Sequence, residues 1–155
     1  MRITDILDKQ CIKTFLVSGS KIDIINELVN IACTKYPELN EKHIVKAVLD
    51  RENIGSTGIG GGIAIPHALT ESCNKLIAVF GLSKDSVPFD SLDARPVKLF
   101  FLVLCPKDQR TLQIRFLARI SRILNDPKLK KALLNCQTPQ EVFDIFVQYE
   151  NSHVN

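Results

Sequence analysis

Residues 97–105 read VKLFFLVLC and lie between Pro96 and Pro106. A short apolar run that is rich in β-branched and aromatic residues and bounded by proline predicts a buried strand. Two more runs of this kind occupy residues 63–65 and 76–82. Residues 83–96, between the last two runs, are predicted to be a polar loop. The three runs together place a sheet in the middle of the chain.

On the N-terminal side of these strands, apolar residues recur at helical spacing. Ser20 precedes one such segment, with Asp23 in the position of a capping box, and the segment is expected to close near Pro37. Asn40 opens a second helix that is expected to stop within residues 53–55. Two helices are therefore predicted before the sheet.

The helical period returns after Pro106. Asp108 is predicted to cap the longest helix of the C-terminal half. Asp126 and Thr138, each followed by proline, mark the starts of two more helices, because proline fits the first helical position. Helices, then strands, then helices predict a sheet covered by helices, for which both α/β and α+β are open.

The composition limits the classes of function. The chain has 155 residues, of which 45% are hydrophobic and 24% charged, as expected for one globular domain. Its net charge is +3, and no basic stripe is interleaved with aromatic residues, which argues against nucleic-acid binding. No apolar stretch resembles a signal peptide or approaches the ~20 residues of a membrane span, so a cytoplasmic location without membrane insertion is expected. The five cysteines form no Cys-x-x-Cys pair and are expected to be reduced packing residues.

Glycine is concentrated in residues 55–62, which read GSTGIGGG and hold five of the seven glycines. Backbone N–H groups in such a run can converge on an anion, so a phosphate cradle is one interpretation, and a tight bend with close backbone approach is the other. The run is not a P-loop, because Gly61 stands where the lysine is needed. It is not a dinucleotide fingerprint either, because it leads into a strand.

His67 follows Pro66 at the end of the strand predicted at residues 63–65. Pro66 fixes its own φ and stiffens the backbone that carries the imidazole. An ordinary histidine titrates near pH ~6.5 and is largely neutral at pH 7, which leaves a ring nitrogen able to attack phosphorus. The alternative is an inert, hydrogen-bonded histidine at a strand end. A Cys73–His67 nucleophile pair is open, whereas no histidine has the spacing of a metal site.

Residues 51–67 read RENIGSTGIGGGIAIPH and resemble the active-site signature of the fructose/mannitol-type IIA domains of the bacterial sugar phosphotransferase system. Residues 89–97 and the helix ending at residues 122–124 are similar to the same family. The resemblance covers residues 1–148 as a single domain and leaves residues 149–155 as a flexible tail. It implies a three-layer α/β/α fold in which a mixed β-sheet is sandwiched between helical layers.

The resemblance also implies a chemistry. His67 would accept a phosphoryl group from the phosphocarrier protein HPr or a relative, and the reaction would need neither a cofactor nor a metal. Arg51 falls on the family's active-site arginine, whose guanidinium would pair with phosphate oxygens. The other interpretation of Arg51 is a cation at the negative end of a helix, and both can hold at once.

The remaining expected site residues are Ser56, Thr57, Gly61, Gly62 and Gln113. All five are predicted to line the phosphate pocket, with a turn-forming role as the alternative for the two hydroxyls. Gln113 aligns with the position at which the family usually has a second histidine. An amide donates a hydrogen bond but carries neither a titrating proton nor a positive charge. It is therefore open whether the site tolerates this glutamine or whether phosphorylation is slowed or lost.

Three functions follow from the resemblance. The first is a regulatory phosphocarrier, closest to the free-standing nitrogen-regulatory IIA proteins, that acts on a target protein. The second is a sugar-transport component that passes phosphate to a separate IIB domain. The third is a binding module that cannot be phosphorylated. Because the sequence brings no IIB, IIC or HPr domain, the first is favoured.

Overall fold

The computed structural model describes residues 1–153 as six strands and six α-helices. The strands are β1 (Ile12–Leu16), β2 (Gly58–Gly60), β3 (Ile63–Ala64), β4 (His67–Thr70), β5 (Ile77–Val87) and β6 (Val97–Pro106). The helices are α1 (Ile3–Ile6), α2 (Lys21–Lys35), α3 (Glu41–Ile54), α4 (Arg110–Leu124), α5 (Pro127–Leu134) and α6 (Pro139–Ser152), and a 3-10 turn spans Lys9–Cys11.

Strand β6 organises the sheet, whose order is β1-β5-β6-β3-β2. On one edge of β6 lies β5, which is antiparallel to it and carries β1 in parallel on its far side. On the other edge both β3 and β4 run parallel to β6, with Ile63 opposite Leu99 and His67 opposite Val103. The strands β3 and β4 therefore lie end to end along β6, and His67 begins the second of them.

Successive residues of β6 face opposite helical layers. Phe101 packs against Phe116 of α4 and Phe146 of α6, with ring centroids 6.4 and 6.1 Å apart. Its neighbour Phe100 packs against Phe89, at 5.6 Å. Because alternate side chains of a strand project to opposite faces, β6 is buried on both sides. This arrangement confirms the mixed sheet in a three-layer α/β/α fold.

The predicted caps of four helices are confirmed. Each cap accepts a hydrogen bond from a backbone N–H in the first turn and so satisfies a donor that has no partner within the helix. The caps are Ser20 for α2, Asn40 for α3, Asp126 for α5 and Thr138 for α6, where Glu141 completes a capping box.

The prediction that Asp108 caps the longest C-terminal helix is wrong. Helix α4 begins at Arg110, and its N-cap is Gln109, which makes no side-chain cap bond. The chain first turns after the sheet, with the N–H of Gln109 donating to the carbonyl of Pro106 at 3.0 Å. This turn leaves Asp108 outside the helix.

The polar loop predicted at residues 83–96 is also partly wrong, because β5 continues to Val87. Val87 pairs with Val97 after an irregularity in the register, so the first part of this polar stretch extends the hairpin with β6. Strands β1, β2 and β4 were not predicted. All three are short; β1 and β4 pair with strands far away in the sequence, whereas β2 pairs with the neighbouring β3 and has only three residues.

The C-terminal boundary differs from the predicted tail at residues 149–155. Helix α6 continues to Ser152, and the buried carboxylate of Glu150 accepts hydrogen bonds from the N–H groups of Ile3 and Thr4 and from Arg119. Residues 149–152 are therefore tied to the N-terminus, and residues 154–155 lie outside the described part. Within residues 1–153, no helix is both long and apolar enough to cross a membrane.

Candidate functional site

His67 is half-buried at the start of β4, and its ring is held by the backbone just before it. The Nδ1 atom lies 2.8 Å from the carbonyl oxygen of Ile65. A carbonyl only accepts hydrogen bonds, so Nδ1 carries the proton and donates, and the lone pair of the neutral ring is on Nε2. Among residues 1–153, Nε2 has no hydrogen-bond partner. The tautomer thus leaves one nucleophilic nitrogen free.

The surroundings keep this imidazole neutral. Burial, which disfavours the charged imidazolium, lowers the pKa of His67 below its ordinary value and is the largest effect. The hydrogen bond to Ile65 raises that pKa, the positive charge of Arg51 lowers it, and the negative charge of Glu52 raises it. The net lowering means that Nε2 is unprotonated at neutral pH.

Arg51 lies in the last turn of α3, close enough to His67 to affect its titration. Its Nη1 donates to the carbonyl oxygen of Gly55 at 2.8 Å, just beyond the end of the helix. The guanidinium therefore stabilises the helix terminus and has further N–H groups for an anion. Both interpretations drawn from the sequence are compatible with this geometry.

Residues 55–58, which we call the approach segment, run beside the backbone that leads to His67. The Oγ of Ser56 donates to the carbonyl of Phe89 at 2.7 Å and accepts from the N–H of Gly58 at 3.0 Å. The hydroxyl of buried Thr57 donates to Glu52. Both hydroxyls thus hold the segment in shape, as their turn-forming alternative requires. The N–H of Ser56 has no acceptor among residues 1–153.

Glu52 is a site residue that the sequence interpretation missed. Its side chain is 2% exposed and lies 2.8 Å from the Nζ of Lys21. The signal was present in the sequence, because Ile44, Val48 and Glu52 follow one another at intervals of four and form the buried stripe of α3. A carboxylate in an apolar stripe requires a partner, and Lys21 supplies one.

The structure does not bring Gly61 and Gly62 to His67. Ile63 lies opposite Leu99 and His67 opposite Val103, so the two glycines are about 13 Å or more along β6 from the histidine, at ~3.3 Å per residue. Residues 60–62, which we call the glycine turn, all have positive φ. The N–H of Gly61 donates to Asp93 at 3.0 Å, and its carbonyl accepts from Lys130 at 3.0 Å.

Gln113 lies on α4 and is brought to the strand that begins with His67. Its side chain is buried, and its Nε2 donates to the carbonyl of Ala68 at 2.9 Å. This bond fixes the amide next to the residue that follows His67. The position is therefore occupied by a neutral side chain without a titrating proton.

The open alternative of a Cys73–His67 nucleophile pair finds no support. Burial raises the pKa of the Cys73 thiol to about 11, so the thiolate is scarce at neutral pH. Within residues 1–153, no three His, Cys, Asp or Glu side chains are grouped as metal ligands would be. His67 therefore remains the candidate nucleophile of the site.

The family model of the phosphoenolpyruvate-dependent sugar phosphotransferase system, EIIA 2, matches residues 5–149, so the chain belongs to this family. This agrees with the resemblance noted in residues 51–67 and with the fold.

The relatives include both a fructose-specific component and nitrogen regulatory proteins. The chain is 37% identical over 151 residues to the fructose-specific EIIABC component of Bacillus subtilis, covering 97% of this chain but 24% of that protein. It thus spans about a quarter of that relative's length. It is 32% identical to a nitrogen regulatory protein of Klebsiella oxytoca, covering 96% of this chain and 91% of that protein. The crystal structure of the nitrogen regulatory protein IIA-Ntr from Neisseria meningitidis superposes with a TM-score of 0.86 at 26% identity, covering 93% of this chain and 98% of the other.

Proposed function

We propose that the chain is a phosphocarrier that takes a phosphoryl group from phosphorylated HPr, or a similar carrier, onto Nε2 of His67 and acts as a regulatory component. The observation that carries the proposal is the ring geometry: Nδ1 is committed to Ile65, and Nε2 is unprotonated and free. Family membership supplies the reaction class.

The bonds and electron pairs of the proposed transfer are all supplied by the two imidazole rings and the phosphoryl group. The lone pair of Nε2 attacks phosphorus in line, and the P–N bond to the donor imidazole breaks, its electron pair returning to the donor nitrogen. If the donor ring is protonated on its other nitrogen, it leaves as a neutral imidazole. His67 then becomes a phosphorylated imidazolium whose Nδ1–H remains on Ile65. The loose transition state depends mainly on positioning and charge stabilisation.

Arg51 and the N–H of Ser56 are proposed to stabilise the equatorial oxygens of the phosphoryl group. Charged donors aimed at developing negative charge are the strongest contribution of this kind. Thr57 contributes through its backbone position, because its hydroxyl is bound to Glu52. Gly61 and Gly62 are not part of the proposed pocket, since they lie at the far end of β3.

The decisive experiment incubates the purified chain with a phosphorylated HPr-type carrier and measures intact mass, followed by acid treatment. We expect the mass of one phosphoryl group, lost in acid, and no label on His67→Ala. His43→Ala is the matched control, because His43 is an exposed histidine on α3. A label retained by His67→Ala would move the acceptor elsewhere.

Gln113 decides between a carrier and a module that cannot be phosphorylated. We expect the wild-type chain to be labelled, because Gln113 leaves the His67 tautomer intact. If only Gln113→His is labelled, the phosphorylation-incompetent alternative is correct.

Regulation and transport are separated by the next acceptor. The nitrogen regulatory relatives, which the chain matches over nearly their whole length, favour a regulatory role. Offering the labelled chain to candidate IIB domains tests this, since rapid transfer to one of them would support sugar transport instead.

A further inference from the structure

We infer that Glu52 is a positioning residue for His67: its buried carboxylate, paired with Lys21, anchors the approach segment and offsets the charge of Arg51 beside the imidazole. The inference concerns orientation and charge, since no hydrogen bond joins Glu52 directly to His67 within residues 1–153. Its kinetic consequence rests on the proposed function.

The first argument is a continuous line of hydrogen bonds from Glu52 to the imidazole. The N–H of Thr57 lies 3.2 Å from each carboxylate oxygen of Glu52, and the Thr57 hydroxyl also donates to it. The carbonyl of Thr57 accepts from the N–H of Ile65 at 3.0 Å. The carbonyl of Ile65 in turn accepts from Nδ1 of His67 at 2.8 Å. The backbone of Ile65 therefore links the carboxylate to the ring: its N–H is bonded to Thr57, and its carbonyl is bonded to His67.

The second argument is that Lys21 extends this anchor to the other side of the approach segment. Its Nζ lies 2.8 Å from Glu52 and 3.5 Å from the carbonyl oxygen of Phe89, and it stands over the Phe89 ring at 4.8 Å from the centroid. The same carbonyl accepts from the Oγ of Ser56 at 2.7 Å. The approach segment is thus held at two successive residues by one ion pair and one carbonyl.

The third argument is electrostatic. The charged groups that act on His67 are Arg51 and Glu52, both from α3, with Lys21 of α2 paired to Glu52. From α4 the neighbouring group is Gln113, which is neutral. The proposed transfer leaves a positive charge on the phosphorylated ring, and Glu52 is the anion that favours it. Arg51 can then bind phosphate oxygens without making the ring cation too costly.

An apolar residue would satisfy packing alone at position 52. A buried carboxylate is expensive to desolvate and contributes little to stability even when it is paired. Helix α3 already has Ile44 and Val48 in the same stripe. A role beyond packing explains why an ion pair stands where the helix meets the site.

The test is Glu52→Gln, which keeps the shape and one acceptor for Thr57 but removes the charge. We expect the pKa of His67, followed by NMR titration of its imidazole, to fall below the wild-type value. We also expect kcat for labelling by the phosphorylated carrier to fall on the order of tenfold, the size of effect known for groups that orient metal ligands. The KM for the carrier should be unchanged, because Glu52 is buried.

Glu27→Gln is the matched control. Glu27 is likewise paired with a lysine, Lys13, at 2.8 Å and accepts the N–H groups of Val17 and Ser18. Its substitution removes the same chemistry away from His67 and should leave the imidazole titration and kcat unchanged.

A second variant, Thr57→Val, separates anchoring from charge and remains informative if Glu52→Gln does not fold. It removes the hydroxyl bond to Glu52 and keeps both charges, so kcat should fall while the pKa of His67 stays close to the wild-type value. The inference is overturned if Glu52→Gln behaves like Glu27→Gln in both measurements, or if Thr57→Val leaves kcat unchanged. If no carrier labels the wild-type chain, the proposed function fails, whereas the NMR titration still decides the role of Glu52.

Discussion

The approach segment and the glycine turn belong to one glycine-rich stretch, yet the structure uses them differently. In the approach segment, Gly58 permits close backbone approach, since a Cβ there would lie 2.5 Å from the Oγ of Ser91. In the glycine turn, the residues are needed because their φ is positive. Only the approach segment is hydrogen-bonded to Ile65, whose carbonyl holds the His67 ring. Glycine density therefore reflects two backbone requirements, and just one of them bears on the proposed chemistry.

The largest effect on labelling is expected from Arg51→Gln, which changes the surroundings of His67 and leaves the glycine turn intact. Loss of one preorganised charged donor should slow labelling by about 10²–10³-fold. Because Arg51 lowers the pKa of His67, the same substitution should raise that pKa. Labelling rates and NMR titration measure the two effects. Lys46→Gln is the control, because Lys46 is an exposed cation on the same helix; equal effects of the two variants would contradict a specific role.

Acidification should also slow labelling, because it protonates His67. Since the pKa of His67 is lowered in the folded chain, labelling should be independent of pH around neutrality and fall about tenfold per unit below the folded pKa, which is under ~6.5. The unfolded chain binds a proton on His67 more readily than the folded chain does. The contribution of neutral His67 to the free energy of unfolding is therefore present above pH ~6.5 and is lost as the pH falls. Urea unfolding of the wild-type chain and His67→Gln between pH 5 and 8 checks this. A wild-type rate that rises on acidification, after correction for protonation of the donor ring, would exclude attack by a neutral ring.

The sequence alone predicts most of the helices, but not the short strands β1, β2 and β4. Local hydrogen bonds fix the caps at Ser20, Asn40, Asp126 and Thr138, so short-range patterns are sufficient to find them. Strand β4 has only four residues and is defined by its pairing with β6. That pairing lies beyond any local signal.

Some features of the candidate site can likewise be predicted from the sequence, and others require the fold. The proximity of Arg51 to His67 follows from the family motif, whereas the link from Glu52 to Lys21 joins two helices and requires the fold. The distance between the glycine turn and His67 depends on the register along β6. A continuous motif in the sequence therefore does not define one pocket.

Gly58→Ala tests the approach segment with a moderate expected effect. The new Cβ would meet the Oγ and Cα of Ser91 at 2.5 and 3.0 Å, so backbone must move. We expect a loss of ~1–3 kcal/mol in the free energy of unfolding, as for overpacked cores, together with slower labelling. Urea denaturation and the mass assay measure both. Combining it with Ser91→Gly should recover part of the loss; no recovery would place the clash elsewhere.

Gly61→Ala should have the smallest effect and affect stability alone. Its φ is +65°, and a Cβ would lie 3.1 Å from the flexible Nζ of Lys130, so the cost is mainly that of left-handed backbone, ~1–2 kcal/mol. Asparagine tolerates this conformation better, so Gly61→Asn should lose less. Labelling should match the wild-type rate in both variants, because the glycine turn is remote from Nε2. A labelling defect larger in Gly61→Ala than in Gly58→Ala would reverse the comparison and return the glycine turn to the phosphate pocket.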